Sequence, residues 1–283
     1  MVIDSIKWSQ NLFQSKNVDF VVNLGDLFDN NVVRSEELTA ISEAYSTQSI
    51  KEFYLLGNHE TLDLGRNFYS TSMLESDKLK IINEPCKINI NDLTISFIPY
   101  MPYDNINHEM LKKIQSDIVF THLDIRGSRL RQDYQAEFGV EPDLLAMYFN
   151  HVFNGHIHTA ERILPDKGYD IRNVGSLTSI SFADSNNYIP SAHIYDTETK
   201  EFISYQNPYS ILFRRIKVNS IKELYSKLEN FNNQFTYIIR ATVPYDIREE
   251  CSDILNNVKN VLTSRVVSDI SSNNKNYSLK IDN

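Results

Sequence analysis

The sequence contains very little cysteine and no long apolar run. Its two cysteines, Cys86 and Cys251, lie far apart among 283 residues and form no Cys-x-x-Cys pair. This spacing argues against a disulfide framework and is typical of a protein kept in a reducing compartment. No apolar run approaches membrane-spanning length, and the N-terminus lacks the basic and then apolar pattern of a secretory signal. We therefore predict a cytoplasmic protein without a membrane partner.

The sequence also lacks an excess of basic residues. Lys and Arg number 28 against 37 Asp and Glu, which gives a formal net charge of -9. A protein that coats DNA on its own draws much of its affinity from Lys and Arg, so this balance counts against such a role. The same charge balance is compatible with an enzyme that binds phosphate through bound cations or through a basic partner. The hydrophobic share of 41% indicates a folded chain, long enough for one large and one small domain.

Short apolar runs alternate with amphipathic segments along much of the chain. The pattern predicts a layered α/β domain over residues 1–205, with mixed sheets in the middle and helices outside. Helices are predicted at 4–16 and 35–46, and strands at 19–24, 52–56, 93–98, 117–121, 151–154, 170–174, 191–196 and 201–205. Residues 206–283 are predicted to form a small α+β domain of β-α-β-α-β order, with strands at 211–218, 235–243 and 265–270 and helices at 221–231 and 247–262.

Side chains that can bind metals follow four of the predicted strands. They are Asp26; Asn58 and His59; His122; and His156 and His158. Because open α/β sheets hold their ligand sites at the carboxyl ends of strands, we expect these side chains to meet. Carboxylate, amide oxygen and imidazole without thiolate suit Mn²⁺, Fe²⁺ or Zn²⁺. Two such cations about 3.5–4 Å apart activate a water and clamp a phosphate, and one Asp carboxylate can serve both ions.

Each motif by itself admits a plainer interpretation. Gly25 with Asp26 is common turn chemistry. A single histidine such as His122 is more often a hydrogen-bonded structural residue. The four motifs together, each after a predicted strand, favour a metal centre.

In this order, the four motifs resemble those of the calcineurin-like metallophosphoesterases. They read Gly-Asp-Leu-Phe-Asp-Asn at residues 25–30, Gly-Asn-His-Glu at 57–60, Thr-His at 121–122 and Gly-His-Ile-His at 155–158. Within that family the chain is similar to the SbcD-type nuclease subunits that work with an SMC-like ATPase, and among these to the phage recombination group. Gly-Ser-Leu at 175–177 and Ser-Phe at 181–182 follow as in that group, and the small domain resembles its capping domain.

The resemblance implies a layered metallophosphoesterase sandwich and a role for each motif residue. Asp26 would bridge two divalent ions, with Mn²⁺ as the expected metal. Asn58, His122 and His156 would complete the shell of one ion, and His158 would bind the other. His59 would not bind metal but would orient the phosphate and protonate the leaving oxygen. Asp29 would hold a ligating imidazole.

The same resemblance implies a DNA exonuclease or endonuclease. It would act on double-strand ends, hairpins or single strands in phage recombination, repair and replication, in the host cytoplasm. Its partner would be an SMC-like ATPase, and a homodimer is implied by the resemblance alone.

One feature of the family pattern has no counterpart in this sequence. The family opens with a strand that ends in Asp-x-His, and both residues bind the metal assigned to His158. No such motif precedes Asp26, and the chain begins at a point that matches the following helix. We expect a missing N-terminal segment, and an incomplete second metal site that keeps only Asp26 and His158.

Two groups of arginines admit two interpretations each. Arg126, Arg129 and Arg131 follow His122, and they would contact the DNA backbone or lie on a solvated loop. Arg214 and Arg215 on the first strand of the small domain would guide a DNA strand end or mark an exposed edge strand.

Two other functions compete with the nuclease. The first is a catalytically impaired scaffold that binds DNA ends, because one metal site is incomplete. The second is a phosphatase of another substrate class that uses the same loops, which the small domain and the segment at 175–177 argue against.

Overall fold

Two sheets lie at the centre of the larger part of the chain. The first is parallel throughout, in the order β1-β2-β3, with β1 Val21–Asn23, β2 Glu52–Leu55 and β3 Leu79–Ile82. The second has the order β10-β11-β9-β6-β5-β4. Its strands are β4 Cys86–Ile90, β5 Leu93–Ile98, β6 Ile118–Thr121, β9 His151–Asn154, β10 Glu161–Ile163 and β11 Asp170–Asn173. Strands β5, β6, β9 and β11 are parallel, and the edge strands β4 and β10 pair antiparallel.

The computed structural model describes residues 1–61, 70–131, 134–182 and 188–268, without the side chain of Arg131. The remaining elements of the first part are helices α1 Val2–Ser15, α2 Ser35–Ser46, α3 His108–Lys113 and α4 Pro142–Ala146, the short strands β7 Arg129–Arg131 and β8 Tyr134–Gln135, and the antiparallel pair β12 Ser191–Tyr195 and β13 Phe202–Gln206. The chain divides into one unit of residues 1–178 and 190–207 and a second of 179–189 and 208–283. Residues 179–189, which the sequence interpretation placed in the larger domain, belong to the second unit.

Aromatic and aliphatic side chains from both central sheets form the layer between them. This cluster contains Phe53, Leu55, Ile82, Ile95, Phe97, Ile118 and Phe153. The rings of Phe53 and Phe97 meet with centroids 5.3 Å apart. On the outer faces, α1 and α2 pack on the first sheet, while α3 and α4 contribute Leu111 and Leu145 to the cluster on the second. This helix–sheet–sheet–helix order confirms the predicted layered α/β fold.

The second unit has the predicted β-α-β-α-β order. Its elements are β14 Ile211–Lys217, α5 Ile221–Glu229, β15 Thr236–Val243, α6 Arg248–Asn256 and β16 Val261–Ser268. The sheet is parallel, in the order β14-β15-β16. Leu224 of α5 and Cys251 and Leu255 of α6 share one cluster with Ile239 and Ala241 of β15. Both helices therefore cover the same face of this sheet, as right-handed crossovers between successive neighbours require.

The prediction of a helix over residues 247–262 was too long. Helix α6 ends at Asn256, and β16 begins at Val261. Leu262, which falls within the predicted helix, is 64% exposed on the strand. The paired asparagines at 256 and 257 end the helix, and the β-branched run that follows favours a strand.

No helix among the described residues is both long and apolar enough to span a membrane.

A buried carboxylate, Glu52, lies at the start of β2. Its Oε2 accepts a hydrogen bond from Nε2 of Gln48 at 2.6 Å, and Nδ2 of Asn23 donates to the hydroxyl of Tyr45 at 3.0 Å. Burial raises the pKa of Glu52 to about 7, although hydrogen bonds from Gln48, Asn23 and Tyr45 act to lower it.

We expect Glu52→Gln to flatten the dependence of stability on pH. The folded-state pKa of Glu52 lies above the usual value of 4.5, so protonated Glu52 stabilises the fold fully below pH 4.5, and this contribution is lost as pH rises through about 7. The difference is roughly 3 kcal/mol in the free energy of unfolding. Urea unfolding at about pH 5 and about pH 8 measures it.

Glu43→Gln is the matched control, because Glu43 is an exposed acid on α2. Its stability should follow that of the wild type at both pH values. Parallel stability curves for Glu52→Gln and the wild type would contradict the prediction.

Candidate metal centre

The loops that follow β1, β2 and β9 contain glycines where chains approach closely. A Cβ on Gly25 would lie 2.8 Å from the amide nitrogen of Gly57 and 2.8 Å from Nδ1 of His122. A Cβ on Gly57 would lie 2.0 Å from a carboxylate oxygen of Asp26. One on Gly155 would lie 2.3 Å from a side-chain atom of the loop after β1. Side chains at these positions would force the loops apart, so glycine is what lets them converge.

Asp26 occupies a backbone conformation that non-glycine residues rarely adopt. Its φ is +57°, and that of the preceding Gly25 is +94°. Two left-handed residues in succession turn the chain sharply at the end of β1. Such a conformation persists only when surrounding contacts hold it, and it is typical of functional sites.

The buried side chain of Glu60 supplies those contacts. Its carboxylate accepts hydrogen bonds from the amides of Asp26 at 3.2 Å, Leu27 at 2.7 Å and Gly57 at 2.9 Å, and from the hydroxyl of Tyr54. Burial raises the pKa of Glu60, and the charge of Asp26 adds to that rise, while the hydrogen bonds oppose it. One side chain thus ties the loop after β1 to the loop after β2. Sequence reasoning did not predict this role, because Glu60 was only the last residue of a motif.

Four predicted ligand atoms meet at Nε2 of His122. Oδ2 of Asp26 lies 3.1 Å from it, Oδ1 of Asn58 3.2 Å and Nδ1 of His156 3.1 Å. The ligand atoms of Asp26, His122 and His156 all lie within 4.8 Å of one another. The structure therefore brings together four side chains that sequence reasoning selected from four separate loops.

The hydrogen bonding of His122 makes this a cluster of acceptors. Its Nδ1 contacts the main-chain carbonyl of Leu24, which can only accept, so Nδ1 carries the hydrogen. In the neutral imidazole, Nε2 then presents a lone pair beside the oxygens of Asp26 and Asn58. Acceptors gathered without a donor are unfavourable unless a cation or a proton lies among them. The side chains of Asp26, Asn58 and His122 therefore suit a divalent cation as their common ligand partner.

The pKa shifts of His122 and Asp26 also favour a positive charge at this site. Burial lowers the pKa of His122, but its hydrogen bond to Asp26 and the charge of Asp26 outweigh burial, so the net shift is upward. Burial also raises the pKa of Asp26, and its interaction with His122 reverses that shift to a net lowering. The pair thus favours a carboxylate that faces a positive charge.

Asp124 is a residue of the site that sequence reasoning missed. Its Oδ1 lies 3.0 Å from Nε2 of His156. This hydrogen bond lowers the pKa of Asp124, although burial opposes the shift. A carboxylate that accepts from Nε2 leaves Nδ1 of His156 as the ligand atom and fixes the orientation of the ring. The available signal was its position two residues after His122, at the end of the same strand.

His59 lies at the edge of the cluster with its side chain outside it. Its amide donates to Oδ1 of Asp26 at 3.1 Å, and its Nδ1 contacts the main-chain carbonyl of Asp29 at 2.7 Å. The residue is exposed. Asp29 therefore contacts an imidazole as the resemblance suggested, but through its carbonyl, and the imidazole is that of His59 rather than of a ligand.

His158 is not part of the group formed by Asp26, His122 and His156 among the described residues. Its main-chain carbonyl accepts a hydrogen bond from the amide of Ser176 at 3.0 Å. This contact ties the loop after β9 to the segment after β11. The role of His158 as a ligand of a second ion stays a prediction.

The arginines after His122 have carboxylate partners. Nη1 of Arg126 lies 2.6 Å from Oε1 of Glu141, and Nε of Arg129 lies 3.9 Å from Oε2 of Glu161. The side chain of Arg131 lies outside the described residues. These ion pairs favour the solvated-loop interpretation for Arg126 and Arg129.

Arg214 and Arg215 point to opposite faces of the sheet in the second unit, because successive residues of a strand alternate. Arg214 donates to the main-chain carbonyls of Phe213 at 3.0 Å and Tyr188 at 3.3 Å. Burial lowers its pKa. Arg215 is exposed on the other face.

The fold and the donor set together define a class of protein. It is a layered α/β protein whose strand-end loops offer carboxylate, amide and imidazole ligands to divalent metal. The sequence model of the calcineurin-like phosphoesterases matches residues 3–160, which is more than half of the chain. The protein therefore belongs to the calcineurin-like phosphoesterase family, which implies a metal-dependent phosphoesterase. No curated protein matches the chain.

Proposed function

We propose that this protein is the nuclease subunit of a phage DNA recombination, repair and replication system. It would hydrolyse DNA phosphodiesters with Mn²⁺, as an exonuclease or endonuclease, in partnership with an SMC-like ATPase. Family membership supports the reaction class, and the order of the four motifs supports the narrower assignment. The observation that carries the proposal is the acceptor cluster at Nε2 of His122 with His59 at its edge.

Each side chain of the centre has a defined part in this proposal. Asp26, Asn58, His122 and His156 would hold one ion, and Asp26 with His158 would hold the other. Bound there, the ions would polarise the phosphate and activate the attacking water. Asp124 would orient His156 through the hydrogen bond at 3.0 Å.

His59 would act on the leaving group. The carbonyl of Asp29 accepts a hydrogen bond from Nδ1 of His59, which leaves Nε2 as the nitrogen that would contact the substrate. In the imidazolium form, Nε2 would donate a proton to the oxygen that departs from phosphorus. Because His59 is exposed, its side chain would be accessible to a DNA strand.

A second candidate function is a scaffold that binds DNA ends without cutting them. It is favoured by one observation, namely that the described residues contain one group of three metal-binding side chains, Asp26, His122 and His156, and no second such group. A second ion held by few side chains would bind weakly, and the phosphate would then contact only one cation.

The test is cleavage of end-labelled blunt duplex and hairpin DNA by the purified chain with Mn²⁺, with Mg²⁺ or with EDTA. We expect cleavage that requires Mn²⁺ and stops in EDTA. Isothermal titration with Mn²⁺ establishes in parallel that metal is bound.

Three results would count against the nuclease. Bound metal and bound DNA without cleavage would establish the scaffold. Turnover of p-nitrophenyl phosphate without cleavage of DNA would indicate a phosphatase. Failure to bind Mn²⁺ at all would remove the metal centre itself.

A further inference from the structure

Three arginines form a row across the sheet of the second unit. Arg215 of β14 is in register with Arg240 of β15, and Arg240 is in register with Arg265 of β16. Side chains in register on neighbouring strands point to the same face, and the strands lie about 4.8 Å apart. The row therefore places three arginines next to one another on one face of the sheet.

The row points away from the helices. Ile239 and Ala241 flank Arg240 along β15 and are buried in the cluster that contains residues of α5 and α6. Because side chains alternate along a strand, Arg240 lies on the opposite face. Arg215 and Arg265 are exposed there.

Charge in this unit is segregated between the two layers. Strands β14, β15 and β16 contain five Lys and Arg and no Asp or Glu. The acidic residues of 208–268 all lie outside the strands, at Glu223, Glu229, Asp246, Glu249, Glu250 and Asp253. In a chain whose formal net charge is -9, this separation makes the face of the sheet that points away from the helices cationic.

Like charges directly across strands repel, so the neighbouring Arg240 and Arg265 favour a bound anion. Within the described residues, neither Arg240 nor Arg265 has a carboxylate within ion-pair distance. The guanidinium of Arg240 instead lies 4.6 Å from the ring centroid of Phe182, which packs edge-on against Phe213 at 5.2 Å. Arginine beside aromatic rings suits a nucleic acid strand, because phosphates accept hydrogen bonds from guanidinium groups and bases stack on aromatic rings.

We propose that the row of Arg215, Arg240 and Arg265 binds the phosphodiester backbone of DNA. This inference deepens the proposed nuclease function, and it concerns a surface built wholly from the second unit. Arg215 was a candidate from the sequence, whereas Arg240 and Arg265 became candidates only through the register of the strands. The acidic residues lie outside the strands, so the sheet face that contains Arg215, Arg240 and Arg265 is the one that matches a polyanion.

The test measures binding of a fluorescein-labelled single strand and a labelled duplex by anisotropy, in EDTA so that no cleavage occurs, over a range of NaCl concentrations. The variant Arg215→Gln/Arg240→Gln/Arg265→Gln removes the row. We expect its Kd to rise at least about tenfold and the slope of log Kd against log salt to fall by about 2 to 3. The single variant Arg265→Gln, at an exposed position, should lower the slope by about 1 and guards against misfolding of the triple variant.

The matched control is Lys222→Gln/Arg248→Gln/Lys259→Gln, which removes the same charge from exposed positions outside the sheet. It should leave Kd within about twofold of the wild type. Equal losses in the control and the row variant would mean a general charge effect and would overturn the proposal, as would unchanged DNA binding by the row variant.

The two proposals fail in different ways. Hydrolysis of bis-p-nitrophenyl phosphate with Mn²⁺ reports on the metal centre alone and should be the same in the row variant as in the wild type. DNA cleavage by the wild type with unchanged binding by the row variant would overturn the inference and leave the nuclease. DNA binding that depends on the row, without any Mn²⁺-dependent cleavage, would support the inference and remove the nuclease.

Discussion

Asp26→Asn is expected to abolish phosphodiester hydrolysis while the fold is retained. The substitution removes the negative charge from the cluster at Nε2 of His122, where Oδ2 of Asp26 lies 3.1 Å away. An amide cannot bridge two cations as a carboxylate does. Loss of a group that merely supports a ligand typically lowers metal affinity about 10–100-fold, so loss of the charge on a ligand itself should lower it at least as much.

The stability of this variant should fall far less than its activity. The substitution replaces the charged interaction between Asp26 and His122 with a neutral hydrogen bond, in which the amide NH₂ donates to Nε2 of His122. Thermal unfolding of the metal-free protein should therefore occur slightly below the wild-type temperature.

Asp29→Asn is the matched control for Asp26→Asn. It lies three residues later, is exposed, and contacts His59 through a main-chain carbonyl that the substitution keeps. Isothermal titration with Mn²⁺ and hydrolysis of bis-p-nitrophenyl phosphate should give near wild-type values. If Asp26→Asn binds as many ions as the wild type with similar affinity, Asp26 is not a ligand.

His59→Gln is expected to lower kcat about 10²–10⁴-fold, the usual contribution of a general acid. Metal affinity should not change, because the ring of His59 does not contribute to the ligand cluster and its amide still donates to Asp26. The defect should be large on DNA, whose leaving alkoxide needs a proton, and small on bis-p-nitrophenyl phosphate, whose leaving phenolate does not. Rates on both substrates, with Mn²⁺ titrations, measure this split.

The control for His59→Gln is His108→Gln. His108 lies at the start of α3 and contacts the hydroxyl of Tyr148 at 2.8 Å, and it matches none of the strand-end motifs. Its rates should equal those of the wild type on both substrates. Equal defects of His59→Gln on both substrates would show that His59 has a role other than protonation of the leaving group.

The meeting of Asp26, Asn58, His122 and His156 was predictable because one rule governs them all. Each follows a strand, and the carboxyl ends of parallel strands reach the same edge of a sheet. Asp26 and Asn58 lie at that edge of the first sheet, and His122 and His156 lie at that edge of the second. No single histidine justified the conclusion, but the repetition of the pattern in four loops did. The layered fold was predictable for the same reason, since its strands and helices show clear periodicity.

Other features depend on distances that a sequence does not display. Glu60 organises the loops after β1 and β2 only because its carboxylate turns back to the amide of Asp26, 34 positions away. Asp124 holds His156 across neighbouring strands. The arginine row appears only when the register of three strands is known, since successive members of the row are 25 positions apart in the sequence.

The passage of the chain between its two units has a consequence for dissecting the protein. Residues 179–189 belong to the second unit, and the chain then returns to the first for residues 190–207 before residue 208. A fragment cut at residue 208 would therefore lose the phenyl ring at 182 that stacks on Arg240 and the carbonyl at 188 that holds Arg214. An isolated second unit would have to contain residues 179–189 joined to residues 208–283, because both segments belong to it.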